Sequence, residues 1–271
     1  QAETWEEFRE ASNYSNLPGE NMVWADRDGT IGWQAVGIAP IRRNFSGLVP
    51  VPGDGRYEWD GYLPIRAKPN VENPSEGFFA TANESNTPPD YEYWDAIGFE
   101  WGDSFRSDRA AEVLSGGRRF SMMDMMRLQT DEVSIPARTL TPMLDELRST
   151  NARTERLRKG LGEWNYTIAK ESIMAGVYVA WERRVSRNLY DLLVPQAARV
   201  FFRSLSMTRQ LEWLTYPDGR FGADPVAGRD ELLIRSLEEA VVVLTERLGE
   251  DTSKWQYGQA DYKHVLLRHP L

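Results

Sequence analysis

The chain has no cysteine among its 271 residues. That excludes disulfides, thiolate zinc sites and a cysteine nucleophile. It leaves the compartment open, because exported and cytosolic proteins can both lack cysteine. Histidine is nearly as scarce. His264 and His269 both lie in the tail, so a three-histidine metal site cannot be built within the chain. A Ser-His-Asp triad would have to use one of these tail residues; local hydrogen bonding or a solvated position is their ordinary role. Long apolar runs are missing as well. A run such as Ala240 to Leu244 falls far short of the roughly 20 apolar residues that a spanning helix needs. The opening residues Gln1, Ala2, Glu3, Thr4 and Trp5 have no basic start and no apolar stretch, so no secretory leader is expected there. An excess of positive charge is also absent. Lys and Arg total 32 against 41 Asp and Glu, a net charge of −9, which argues against nucleic acid as a partner. Neither GxxxxGK[ST] nor GxGxxG occurs, so no nucleotide or other organic cofactor is expected. Gly-x-Ser-x-Gly is absent, and the acidic clusters lack EF-hand spacing.

Aromatic side chains are abundant, with 10 Trp, 11 Tyr and 10 Phe. Such a chain can fill a core, and disorder throughout is excluded. Trp5, Phe8 and Ala11 among glutamates predict a short amphipathic helix within residues 1–15. Met22 to Ala25 and Ile31 to Val36, joined through Asp28 and Gly29, predict a β-hairpin. Residues 37–76 are rich in Pro and Gly and read as loop with short extended pieces. Gly77 to Ala82 reads as a further strand. Beyond about residue 105 the texture becomes helical, with helices expected over 106–114, 121–130 and 135–150. Ile173, Val177, Trp181, Val185 and Leu189 keep four-residue spacing and mark a buried stripe. Leu233, Leu237, Val241, Leu244 and Leu248 mark another, with Gly249 as its C-cap. The expected organisation is therefore α+β, with a sheet-forming part over 1–100 and a mainly helical part over 101–271. Three or four strands make a small sheet that needs a partner layer. The pairs Arg42-Arg43 and Arg183-Arg184 read as solvated surface. Tyr57, Trp59 and Tyr62 could stack on a sugar, though loop packing is the plainer account.

Several stretches together resemble the penicillin acylase (penicillin amidase) family of N-terminal-nucleophile hydrolases. They begin with Asn21 through Gly32, then Gly37, Pro40 and Arg42, then Pro50 through Gly53. Glu58 through Pro64, Asn73 through Gly77 and Ala80 through Asn83 follow. Gln129, Asp131, Ser134, Ala137 and Arg138 come next, with Trp164-Asn165 where the family usually has Trp-Asp, and the tail from Trp255 to Pro270. Single pieces are weakly specific; their order along nearly the whole chain is the stronger signal. The resemblance implies part of a four-layer αββα fold whose helical second half lines an acyl pocket. It implies hydrolysis of an amide joining an acyl group to an amine, as in a β-lactam antibiotic, an acyl-homoserine lactone or an acylated peptide. It also implies a periplasmic or secreted location and autoproteolytic processing.

The family's catalyst is an N-terminal Ser whose own α-amine is the base. Gln1 cannot take that role, so the chain reads as an internal segment of the large subunit, inactive alone. Its partners would be the small subunit, the N-terminal part of the large subunit and an acylated small molecule. By the same resemblance Asn83 belongs to the oxyanion hole, where a neutral N–H donor is wanted; a strand-end cap is the structural alternative. Arg106 matches an Arg near the active site that would orient the nucleophile's terminal amine through water and hydrogen bonds, and a structural ion pair is its alternative. Asp95 matches a ligand of a structural calcium in some relatives, although one carboxylate cannot satisfy the six to eight oxygens that calcium takes. His269 matches a tail position, whereas Asp261 stands where a His is common. A rival reading is a non-catalytic binding or scaffold protein that keeps the acylase fold, and Gln1 is what it explains best.

Overall fold

The computed structural model describes residues 2–262. The chain forms two compact units, Gln1–Phe120 and Ser121–Leu271. His264 and His269 lie outside the described residues. Among the described residues no helix is long and apolar enough to cross a membrane.

The first unit opens with α1 (Trp5–Ser12), whose N-cap Thr4 accepts the N–H of Glu7. The hairpin of β1 (Asn21–Ala25) and β2 (Ile31–Ala35) follows. Its turn is held by Asp26, whose Oδ1 accepts the N–H groups of Asp28 at 3.0 Å and Thr30 at 2.8 Å. Short strands β3 (Ala39–Pro40) and β4 (Tyr62–Leu63) pair with each other, while β5 (Asn70–Glu72) pairs antiparallel with β2. The three-stranded sheet therefore runs β1-β2-β5.

Strand alternation gives this sheet two different faces. Register sets Met22 opposite Gln34 and Trp24 opposite Gly32, and α1 covers that face. A Cβ on Gly32 would stand 2.6 Å from the ring of Trp5, so only glycine lets the helix settle there. Phe8 packs on Trp24 with centroids 5.2 Å apart, and Arg9 donates to the buried Gln34 Oε1 at 3.0 Å. Val23, Trp33 and Val71 occupy the opposite face. Trp33, buried there, stacks on Phe79 at 4.5 Å.

The strand expected over Gly77 to Ala82 does not form. Asn73 and Gly77 have φ of 47° and 76°, left-handed values that turn the chain off the ladder after β5. Phe79 then contributes a ring contact where a strand would contribute a ladder. The remainder of the unit holds α2 (Trp94–Ile97) and α3 (Phe105–Leu114). A small cluster of Ala39, Leu63 and Ala96, flanked by Tyr91 and Ile97, joins α2 to the β3–β4 pair.

The second unit is helical: α4 (Met122–Gln129), α5 (Ile135–Leu140), α6 (Ala152–Gly162), α7 (Ile173–Leu193), α8 (Met207–Thr215) and α9 (Pro225–Leu248). The helix expected over 135–150 is shorter than its pattern suggested. It passes into a 3₁₀ segment over Thr141–Leu144, because Pro142 removes an N–H and clashes with the preceding turn. α7 and α9 pack through the two anticipated stripes. Val177, Trp181, Val185 and Leu189 are buried on one helix, and Leu233, Leu237, Val241 and Leu244 on the other. The Trp181 indole also donates to the carbonyl of Leu233 at 3.0 Å. Gly249 ends α9 with φ 85°, and its N–H reaches Thr245 O at 2.9 Å.

Half-buried Glu182 on α7 is held mostly out of water, and that burial pushes its carboxyl up to about 7, against a smaller opposing pull from Tyr178 and Arg183. The unfolded chain releases this proton near the ordinary carboxylate value while the folded chain keeps it. Stability therefore falls as pH rises from about 4.5 to about 7, and the full loss is present above that. Glu182→Gln should match the parent near pH 4.5 and exceed its urea midpoint at pH 8. Equal midpoints at both pH values would contradict this.

Candidate active site

The candidate site lies wholly within the first unit, and the sheet positions it step by step. Trp33 on β2 donates its indole N–H to Asn21 Oδ1 at 2.8 Å. Asn21 passes a hydrogen bond to Thr81 Oγ1 at 3.1 Å, and Asn86 donates to the same oxygen at 2.9 Å. Together with the Trp33–Phe79 stack, these contacts tie the irregular segment after Gly77 to the sheet. Asn83 stands at its end with φ 70°, a left-handed conformation that Asn tolerates better than most residues.

Arg106, on the first turn of α3, fixes the Asn83 side chain. Its Nη2 donates to Ala82 O at 2.7 Å and to Asn83 Oδ1 at 2.8 Å. A guanidinium only donates, so the amide oxygen must face Arg106 and the NH₂ must face away. Among the described residues the Asn83 NH₂ has no hydrogen-bond partner, and the residue is exposed. The Ala82 N–H is already taken by Glu84 Oε2 at 2.7 Å. The loop thus presents one oriented, uncommitted neutral donor, and the positive charge on its carbonyl side strengthens that donor.

Asn83 opens on a cleft of about 520 Å³ whose walls include Trp33, Ile97 and Trp101. This size suits a small-molecule site. Lys68 also lines it, with Nζ donating to the carbonyls of Val36 at 2.6 Å and Gly37 at 3.0 Å. Burial pushes its ammonium pKa down. The sequence reading passed over Lys68, Trp33 and Trp101 as site residues. Lys68 sits in the proline-rich crossing with no periodic or motif signal, and Trp33 read only as a hairpin residue.

Asp95 is exposed on α2, and its backbone carbonyl accepts from Arg42 at 3.4 Å. Among the described residues no group of three His, Asp or Glu is arranged to hold a metal ion. The described residues therefore do not fit a calcium site by themselves. Tyr57 meets Phe45 edge-on at 6.0 Å and Trp59 meets Tyr62 at 6.1 Å, a loop packing that leaves Trp59 and Tyr62 about half exposed.

A sheet-anchored loop thus holds one amide donor at the edge of a cleft within an α+β chain. The penicillin amidase family model matches residues 1–271, and the chain belongs to that family. It is 28% identical to acyl-homoserine lactone acylase QuiP of Pseudomonas aeruginosa over 285 residues, covering 95% of this chain and 33% of the relative. It is 30% identical to the QuiP protein of Pseudomonas putida, covering 88% and 32%. It is 24% identical to penicillin G acylase of Escherichia coli, covering 94% and 34%. A thermostable penicillin G acylase from Alcaligenes faecalis shares the fold with a TM-score of 0.70 at 20% identity, over 94% of this chain and 51% of that one. The chain thus spans about a third of the length of the curated relatives it matches.

Proposed function

We propose that this chain is the part of an amide-hydrolysing acylase that supplies the side-chain donor of the oxyanion hole. The observation that carries the reading is the Arg106–Asn83 pair, which leaves one amide N–H₂ oriented and unspent. The nucleophile is an N-terminal Ser on a segment outside this sequence, produced by processing of a longer precursor. One relative is named a penicillin acylase 2 proenzyme, which supports processing. The Ser Oγ attacks the acyl carbon while its α-amine takes the hydroxyl proton. Negative charge collects on the carbonyl oxygen, where Asn83 Nδ2 donates. Collapse breaks the C–N bond, and the amine leaves with the proton held by the α-amine. Water then cleaves the acyl-enzyme ester and frees the acid and the Ser.

The names of the relatives favour N-acyl-homoserine lactones first and β-lactam side-chain amides second. An exported enzyme, in the periplasm or outside the cell, fits such substrates. The test is an assay of the full-length processed gene product for release of homoserine lactone from an N-acyl-homoserine lactone, beside a chromogenic acyl-anilide. Release from either supports the reading; a correctly processed protein that hydrolyses neither would overturn it.

Arg106 acts here as a positioning residue. Arg106→Ala should lower kcat by roughly tenfold to a hundredfold, the worth of a charge-assisted hydrogen bond of about 1.5–3 kcal/mol. KM should change less, because the bond it supports matters most in the transition state. Arg106→Lys keeps the charge but not the forked reach, and should recover part of the loss. A change in KM alone would assign Arg106 to substrate binding.

A further inference from the structure

The second unit carries a recess that the proposed reaction does not use. It lies between α7 and α9, with a volume of about 320 Å³. Arg183, Arg184 and Arg187 line it from α7, and Arg247 from α9. Positions three and four apart share a helix face, and like charges so placed repel. Gathering four guanidiniums around one recess is therefore unfavourable by itself, all the more notable in a chain of net charge −9. Local carboxylates offset part of it: Glu182 feels the charge of the neighbouring Arg183. Arg187 has an exposed pair with Asp191 at 2.8 Å. Arg247 donates Nε to the backbone carbonyl of Asp261, a neutral acceptor, at 2.8 Å. Among the described residues no carboxylate within 4.0 Å pairs with Arg183, Arg184 or Arg247. Between the cations the lining is apolar, with Ala180 and Val243 partly exposed above the buried Leu244 and Tyr262; the Tyr262 hydroxyl is turned away onto Gly176 O at 2.6 Å.

We infer that this recess is a binding site for an organic carboxylate with an apolar body. Guanidinium forks match the two oxygens of a carboxylate, and the apolar lining between α7 and α9 receives the body. The volume lies at the lower end of the range for small-molecule sites, which suits a short chain or a single ring. Because α7 and α9 form the core of the unit through their buried stripes, the arginines stand on rigid elements. The inference does not depend on the proposed chemistry at Asn83.

The test is calorimetric titration of octanoate into the full-length gene product, with 1-octanol and inorganic phosphate as separate arms. A saturable octanoate component that 1-octanol does not reproduce is expected at this recess, beside any binding of the acid in the acyl pocket of the proposed enzyme. The pair Arg184→Ala and Arg247→Ala should weaken that octanoate component at least tenfold without lowering the melting temperature. The Arg184→Lys and Arg247→Lys pair should retain intermediate affinity, which guards against misfolding as the cause. Asn83→Ala should bind octanoate as the parent does, separating this site from the cleft. Absence of octanoate binding, binding untouched by the arginine changes, or binding lost with Asn83→Ala would overturn the inference. Phosphate binding as tightly as octanoate would overturn the assignment to an apolar carboxylate.

Discussion

Asn83→Ala in the processed enzyme is expected to lower kcat by roughly 10²–10³ while KM moves little. The estimate is the loss seen when one preorganised oxyanion donor is removed, about 2.7–4 kcal/mol of transition-state stabilisation. The donor is preorganised here because Arg106 holds the amide oxygen at 2.8 Å. Asn83 also sits in a left-handed backbone conformation, with φ 70°, so an alanine carries a modest conformational cost as well. Asn83→Gly relieves that cost without restoring the amide, and should be as inactive as the alanine variant. Ser85→Ala, two residues on and exposed, should be nearly silent and controls for disturbance of the loop. Steady-state kinetics on an acyl-anilide decide the matter. If Asn83→Gly regained parental turnover, the backbone and not the amide would be the active feature.

Trp181→Ala should cost about 3–5 kcal/mol of stability, the range for emptying a large aromatic site in a packed core. The side chain is 0% exposed between α7 and α9. Its removal also strips the carbonyl of Leu233 of its indole donor at 3.0 Å, and a buried acceptor left without a partner adds to the loss. Trp181→Phe keeps most of the volume and loses the donor, so it should fall between the two. Urea midpoints with unchanged slope would read these values directly. A cost below about 1 kcal/mol for the alanine variant would mean that the site collapses or that the stripe is not the core it looks to be.

Much of the architecture was legible because it rests on period. The hairpin followed from two short runs joined by the Asp28-Gly29 turn, and α7 and α9 followed from apolar residues mostly four apart. The losses have physical causes. Segment 77–82 has strand composition, yet left-handed Asn73 and Gly77 carry it off the ladder. The α5 helix stops where Pro142 enters. Helix α6 was not anticipated, since Arg153, Thr154, Arg156 and Arg158 dilute its apolar face. Arg158 is buried nonetheless, through its hydrogen bonds to Glu155 and to Leu144 O. At the site, residue types alone singled out nothing, and Asn83 and Arg106 came from the family resemblance. Their 2.8 Å contact joins residues far apart in sequence, a relation that spacing does not encode. Lys68 and the tryptophans of the cleft were hidden for the same reason.

In the proposed reaction the Asn83 amide, aimed by Arg106, meets the charge that develops on the scissile carbonyl. The most direct measurement is a crystal structure of the processed enzyme trapped with an acyl phosphonate, whose tetrahedral adduct places an anionic oxygen where the reaction would. Asn83 Nδ2 is expected within about 2.7–3.1 Å of that oxygen, with Oδ1 still on Arg106. An adduct oxygen held by other donors, with the Asn83 amide turned away from it, would rule out the oxyanion role of Asn83.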